Sequence, residues 1–229
     1  MNAPYFTFMP LHRHFDGGFG AIGDAFKEAG DQLGKTPTND VHKHLPATYL
    51  YRHAIEMYLK SMIVIIHKKF DGSSQPPLVL YRRKRRPFDT VHTLAGLWDC
   101  LKRLLDQHRV AIKATSFALC DELDTCESWL RRIDNDDPGG TLLKYATSGN
   151  QVADRDKESF KSINEIFDEK TDSPENFVKA LVLEHSSGSV EAYMLDYSPI
   201  QELRETVLKC ADFLSTVHFA MRCELTDGL

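Results

Sequence analysis

Residues 46–69 read PATYLYRHAIEMYLKSMIVIIHKK, and this stretch decides the fold of the chain. It is long enough for about seven helical turns. Its apolar side chains would fall on nearly every side of such a helix: Leu50, Ala54, Ile55, Met57, Leu59, Met62, Ile63 and Ile66. A helix that is apolar almost all round is typical of a buried position. The sequence therefore predicts a central helix over 46–69.

Charged residues interrupt this apolar helix along one stripe. Arg52, Glu56 and Lys60 are spaced by four residues, which places them on one face. Charges on a buried helix need partners, and His53 and His92 are candidates to join them. One interpretation is a polar pocket that binds phosphate or orients a base. The other, which we favour, is a buried ion-pair network that fixes the register of the helices.

The rest of the chain predicts a mainly α fold. Further helical stripes occur at 17–33, 90–108, 115–133 and 198–222. The polar region 134–197 contains predicted strands at 141–147 and 190–195, which we expect to pair, and predicted helices near 157–168 and 174–184. We expect one domain over 1–229, an up-and-down bundle of about five helices. Its parts are an N-terminal helix and loop (1–44), a bundle core (45–133), an insertion with a β-hairpin (134–197) and a C-terminal helix (198–222).

A basic run precedes the third predicted helix. Its members are Arg82, Arg83, Lys84, Arg85 and Arg86, with Tyr81 and Phe88 on either side. Consecutive cations flanked by aromatic rings suit an RNA backbone and its bases. A solvated loop, a docking surface for an acidic protein and, less favoured, a nuclear import signal are the other interpretations. The net charge of -5 argues against a protein that coats nucleic acid along its whole surface, but it leaves room for a local basic patch.

Composition favours a cytoplasmic protein. The five cysteines are widely spaced without a Cys-x-x-Cys motif, so reduced thiols are expected. No signal peptide is evident, and the most apolar run, Met62–Ile66, is too short to span a membrane. The pairs His12/His14 and His42/His44 could ligate zinc if their loops met, but nothing completes the set. We expect no metal and no cofactor.

Three segments together resemble HEPN-like proteins. They are Tyr49–Lys60, with its Arg-His and Glu-x-x-x-Lys, His92–Trp98, which reads HTLAGLW, and Asp136–Tyr145, which reads DDPGGTLLKY. The resemblance implies an all-helical bundle that often forms homodimers. Many members are metal-independent ribonucleases of toxin–antitoxin and anti-phage systems, and others are non-catalytic binding modules with RNA or protein partners.

The catalytic pattern of the family's nucleases does not transfer cleanly. That branch uses an Arg, then four to six intervening residues, then a His, late in the bundle. Here Arg85 or Arg86 with His92, and Arg103 with His108, have the spacing but lie too early. We therefore carry over no catalytic pair from the family. The charged stripe and the basic run supply the candidates instead: the candidate catalytic residues are Arg52, His53 and His92, and the candidate binding residues are Glu56, Lys60, Arg82, Arg83, Lys84, Arg85 and Arg86. We expect a defence or toxin-type protein that binds RNA or nucleotides or acts as a dimerising module. The alternatives are a metal-independent ribonuclease and a metal-dependent hydrolase.

Overall fold

The computed structural model describes residues 10–35, 44–72, 75–81, 83–113, 123–145, 154, 160–162, 180–188, 190–195 and 198–228. Its helices are α1 (Phe19–Lys35), α2 (His44–Ile66), α3 (Leu94–Gln107), α4 (Arg109–Lys113), α5 (Leu123–Asp136) and α6 (Ser198–Thr226). Its strands are β1 (Leu78–Tyr81), β2 (Lys84–Pro87), β3 (Phe160–Ser162), β4 (Ala180–Glu184) and β5 (Val190–Leu195). The predicted fold class, mainly helical with a hairpin before the last helix, is confirmed.

Helix α2 is the centre of the bundle, as predicted. It packs against α1, α3 and α6, and side chains on all its sides are excluded from solvent, among them Ile55, Tyr58, Leu59, Met62 and Ile63. Fully burying an aliphatic side chain of this size stabilises the fold by about 1.5–3 kcal/mol. The all-round apolar pattern thus gives α2 more neighbours than a helix with one apolar stripe would have.

Helix α1 approaches α2 closely because two glycines accept tyrosine rings. A Cβ atom on Gly23 would lie 2.9 Å from Tyr58 Cε1, and one on Gly30 would lie 2.9 Å from Tyr51 Cε1. The residue after each glycine is an aspartate that accepts the tyrosine hydroxyl at 2.9 Å, Asp24 from Tyr58 and Asp31 from Tyr51. The spacing of seven residues between the two glycines therefore positions α1 along α2.

A two-stranded hairpin lies where the sequence suggested a loop. Strands β1 and β2 pair antiparallel from Leu78↔Pro87 to Tyr81↔Lys84. Val79 is buried, whereas Leu78 and Leu80 are exposed. The alternation lies in the burial of these side chains and not in the sequence, where 78–81 reads LVLY and 84–87 reads KRRP. The sequence pattern alone therefore does not predict these two strands.

The predicted structure of the 134–197 region is partly wrong. Strand β5 forms at Val190–Leu195 as expected, but it pairs with β3 and β4 rather than with 141–147. Residues 142–145 form a turn, and 146–147 lie outside the described part. The predicted helices near 157–168 and 174–184 are replaced by β3 and β4 at their described residues. Pairing with β5 satisfies backbone groups that local sequence patterns do not report.

Candidate functional site

Arg52 is the centre of a polar cluster formed where α2, α3 and α5 meet. Its Nη2 donates a hydrogen bond to the His92 carbonyl oxygen at 3.0 Å and lies 3.8 Å from Asp134 Oδ1. Its Nε lies 3.2 Å from Asp137 Oδ2, and its Nη1 lies 3.6 Å from Glu56 Oε2. The α2 polar cluster comprises Arg52, Glu56, Lys60, His92, Asp134 and Asp137.

Glu56 connects the remaining members of the cluster. Its Oε1 accepts a hydrogen bond from Lys60 Nζ at 2.8 Å and lies 2.9 Å from His92 Nδ1. Lys60 also donates to the carbonyl oxygen of Asp89 at 2.9 Å. Burial opposes ionisation of Glu56, but Lys60 and His92 outweigh that effect and hold its pKa below the ordinary value. Glu56 is therefore a carboxylate matched by cations.

Asp134 and Asp137 are not among the predicted site residues, although Asp137 lies in the segment Asp136–Tyr145 that resembles HEPN-like proteins. The Asp134 carboxylate accepts the backbone N–H groups of Leu94 and Ala95 at 3.0 and 2.7 Å, and so caps the start of α3. Burial outweighs these bonds and raises the pKa of Asp134. Asp137 Oδ1 accepts the Leu142 N–H at 2.7 Å. We call residues 134–140 the acidic turn; it ends α5 and also supplies counter-charges to Arg52.

Gly140 allows the acidic turn to close over Arg52. It has φ +75°, and a Cβ atom there would lie 2.5 Å from Arg52 Nη1. Gly139 has nearly the same φ, +73°, but nothing lies within 4 Å of a Cβ placed on it. A glycine is favoured at both positions by the positive φ, but only at Gly140 does contact with Arg52 also exclude a side chain.

The α2 polar cluster is buried and its charges are matched internally. Arg52 is 3% exposed, Glu56 and Lys60 are 2% exposed, and Asp137 is fully buried. Within the cluster two permanent cations face three carboxylates, so neither cation is left over for a phosphate. His92 is the accessible member, with 62% of its side chain exposed. The arrangement stabilises the packing of α2, α3 and α5, and any proton transfer at this site would rest on His92.

His53 lies beside the cluster without a hydrogen bond to its members. Its ring packs edge-on against Phe26 at 4.3 Å between centroids and stacks on Tyr49 at 6.0 Å. Burial lowers the pKa of His53, so its surroundings favour the neutral ring. The structure therefore brings Arg52, Glu56, Lys60 and His92 together and places His53 in an aromatic contact between α1 and α2.

The basic run is displayed on the hairpin. Arg83, Lys84, Arg85 and Arg86 are all exposed, and none of them forms an ion pair with a carboxylate of the described residues. The Arg86 guanidinium lies 5.5 Å from the centroid of the Tyr81 ring. Arg82, the fifth predicted member, lies outside the described residues. We call β1, β2 and the cations at 83–86 the basic hairpin, and its cations are free to meet an anionic ligand.

A second buried polar cluster joins α1, α2 and α6, and no sequence pattern signals it. Asp16 accepts the N–H groups of Gly18 and Gly20 at 2.9 and 2.7 Å and the Ser61 hydroxyl at 2.6 Å. His218 Nε2 lies 4.0 Å from Asp16 Oδ2. Burial lowers the pKa of His218 to about 4. Arg222 Nη2 lies 3.0 Å from His14 Nδ1. The Asp16 cluster comprises Asp16, Ser61, His218 and Arg222.

The arginine–histidine pairs at nuclease spacing do not form a joint site. Arg103 Nη2 donates to the Leu78 carbonyl oxygen at 3.0 Å, whereas His108 Nε2 lies 2.6 Å from Asp71 Oδ1. His92 bonds to Glu56 through its ring, while Arg86 packs on Tyr81. In the pairs Arg103/His108 and Arg86/His92, each partner is therefore engaged with a different part of the chain.

The histidines proposed as zinc ligands fall on separate features of the chain. His14 is buried beside Arg222, and His44 is the first residue of α2. His42 lies outside the described residues. Across the part of the chain that is described, no group of three or more His, Cys, Asp or Glu residues is arranged to hold a metal ion. The described helices also include none that is long and apolar enough to cross a bilayer.

No protein-family model, curated protein or solved structure matches the chain. The resemblance to HEPN-like proteins therefore stays a prediction, and the geometry of the α2 polar cluster and the basic hairpin bears directly on function.

Proposed function

We propose that this chain is a HEPN-like binding module without nuclease activity, and that its basic hairpin binds RNA. The observation that carries the proposal is the exposure of Arg83, Lys84, Arg85 and Arg86 without carboxylate partners among the described residues. The predicted catalytic stripe has the opposite character, because Arg52 and Lys60 are buried against carboxylates. Cations that no carboxylate neutralises are the ones that phosphates can reach.

The hairpin suits a phosphate backbone in shape as well as charge. All four residues of β2 are exposed, and successive side chains on a strand point to opposite faces. Lys84 and Arg86 therefore share one face, and Arg85 lies on the other. A single strand that wraps the hairpin can contact both faces, and each phosphate neutralised releases bound counterions.

The resemblance supplies the biological context of the proposal. It favours a prokaryotic defence or toxin-type system and a homodimer in the cytoplasm. Analytical ultracentrifugation across a tenfold concentration range measures the oligomeric state, and a strictly monomeric protein would contradict the homodimer.

The test is an RNA-binding assay with a charge-matched control. One variant replaces Arg83, Lys84, Arg85 and Arg86 by Gln. The control replaces four exposed cations elsewhere, Lys35, Lys69, Arg109 and Lys113, by Gln. Both variants lose four positive charges. We expect the hairpin variant alone to lose binding to single-stranded RNA. Equal loss in both variants would show a response to net charge, and binding by neither variant nor the unmodified protein would overturn the proposal.

The ribonuclease alternative is tested with the same protein in EDTA. RNA cleavage in EDTA that His92→Ala abolishes without unfolding the protein would establish the metal-independent nuclease instead. Cleavage that requires added Zn²⁺ or Mg²⁺ would favour the metal-dependent hydrolase.

A further inference from the structure

A groove of about 500 Å³ lies between the basic hairpin and α3. Leu78, Leu80 and Arg85 line it from the hairpin, and Asp99, Cys100 and Arg103 line it from α3. Its volume falls within the range of small-molecule sites, about 300–1,000 Å³. Leu80 is 71% exposed and Leu78 is 42% exposed, so the groove presents apolar surface to solvent beside its charged residues.

The register of the hairpin determines which backbone groups face the groove. Phe88 N–H donates to the Pro77 carbonyl oxygen at 3.1 Å, so Pro77 and Phe88 are a hydrogen-bonded pair. Such pairs alternate along an antiparallel ladder, and the next ones are Val79↔Arg86 and Tyr81↔Lys84. The peptide groups of Leu78 and Leu80 therefore point away from β2, toward the free edge of β1.

One of these two edge positions is already occupied. The Leu78 carbonyl oxygen accepts a hydrogen bond from Arg103 Nη2 at 3.0 Å. A peptide that added to β1 as a third strand would meet Arg103 after pairing with Leu80, so it could not form a continuous ladder. Leu80 leaves one N–H donor beside one C=O acceptor, which suits a small planar ligand with the complementary pair.

The arginines that line the groove favour an anionic ligand. Arg85 and Arg103 are exposed and line it. The carboxylate that also lines it, Asp99, lies 2.9 Å from Arg131 Nη2 and so is partly neutralised. The two guanidinium groups match a phosphate. The N–H and C=O groups of Leu80 match the hydrogen-bonding edge of a base, and the two leucine side chains match the face of a base.

We propose that the hairpin groove binds one nucleotide of a single-stranded RNA. The base would lie against Leu78 and Leu80 with its hydrogen-bonding edge on the Leu80 peptide groups, and its phosphate would bind Arg85 and Arg103. This inference rests on the proposed RNA binding by the hairpin, and it adds the site and the ligand unit. It predicts that an unpaired base is required, because the edge of a base in a duplex is already used.

The experiment compares neighbouring residues of β2. Arg85 lines the groove, whereas Arg86 lies on the opposite face of the strand, over Tyr81. Arg85→Ala and Arg86→Ala remove the same charge one residue apart. AMP, CMP, GMP and UMP are titrated into each variant by NMR, with inorganic phosphate as the anion-only probe, and affinity for single-stranded and duplex RNA is measured in parallel.

We expect Arg85→Ala to weaken mononucleotide binding at least about tenfold, as loss of a charge-assisted hydrogen bond does, and to weaken it more than Arg86→Ala, because only Arg85 lines the groove. Leu80→Pro, which removes the edge N–H, should weaken binding more than Leu80→Ala, which keeps it. Circular dichroism checks that both variants fold. Mononucleotide binding that Arg85→Ala and Arg86→Ala weaken equally would overturn the groove and leave RNA binding by the basic hairpin standing. RNA binding without any mononucleotide binding would do the same. If the unmodified protein does not bind RNA at all, both the nucleotide site in the groove and RNA binding by the basic hairpin are overturned. Displacement of AMP by an acidic peptide, but not by RNA, would assign the groove to a protein partner.

Discussion

The α2 polar cluster and the basic hairpin contain the same kinds of cation in opposite surroundings. Arg52 has four partners within 3.8 Å and is 3% exposed. Arg85 is exposed and forms no ion pair with a carboxylate of the described residues. An unmatched charge is tolerated in water, but it is costly in a buried position. The neighbours of an arginine therefore decide whether it stabilises the fold or stays free for a ligand.

The largest effect is expected from Arg52→Ala. The substitution leaves Glu56, Asp134 and Asp137 without their shared cation, and breaking a buried ion pair from one side costs about 3–5 kcal/mol. Urea unfolding measures the decrease in the free energy of unfolding. Arg131→Ala is the control, because its ion pairs are exposed and should contribute about 0–1 kcal/mol. A folded Arg52→Ala protein that has lost RNA binding but not stability would break the comparison.

The second prediction extends the comparison to the other buried cluster. The pKa of His218 is lowered to about 4 from an ordinary 6.5, so the unfolded chain binds the proton more tightly than the folded one. The stability from neutral His218 is complete above pH 6.5 and is lost as the pH falls toward 4. The change is on the order of 3 kcal/mol. Asp16 and Arg222 face the ring.

Unfolding of the unmodified protein and of His218→Gln between pH 4 and pH 7 checks this expectation. The free-energy difference between them should shrink as the pH falls. A difference that is constant across this range would show that His218 does not stay neutral in the fold.

A smaller effect separates two adjacent glycines. Gly139→Ala and Gly140→Ala both place a side chain at positive φ, but only the Cβ at Gly140 meets Arg52. Gly140→Ala should therefore destabilise the protein by about 1–3 kcal/mol more than Gly139→Ala, because the guanidinium must move within a packed site. Thermal unfolding of the two variants measures the difference, and equal midpoints would contradict tight packing of the turn on Arg52.

The smallest change in stability is expected at the basic hairpin. Replacing Arg83, Lys84, Arg85 and Arg86 by Gln should alter the free energy of unfolding by less than about 0.5 kcal/mol, as surface substitutions usually do. The logarithmic dependence of RNA affinity on salt should flatten by about 0.7 for each phosphate that the variant no longer neutralises. A large decrease in stability would show that these cations stabilise the fold, as those of the α2 polar cluster do.

The sequence predicts the helices more accurately than it predicts the contacts of the candidate site. The apolar pattern of α2 reports its surroundings directly, since a helix that is apolar on every face is stable only when it is buried. Contacts between residues that are distant in sequence produce no such local pattern. Nothing in the run around Asp134 shows that it caps α3 or faces Arg52, because both contacts depend on how α5 docks. The sequence does not predict the hairpin for a related reason. Its strands are only four residues long, and they form because they pair with each other.

The cap that Asp134 provides has a consequence for the order in which the protein folds. The first two amides of α3, those of Leu94 and Ala95, are bonded to a carboxylate 40 and 39 residues further along the chain. These amides can resist hydrogen exchange only after α5 has docked, even though α3 is a local structure. The exchange rates of Leu94 and Ala95 should therefore follow the opening of α5, while amides in the middle of α3 follow the opening of α3 itself.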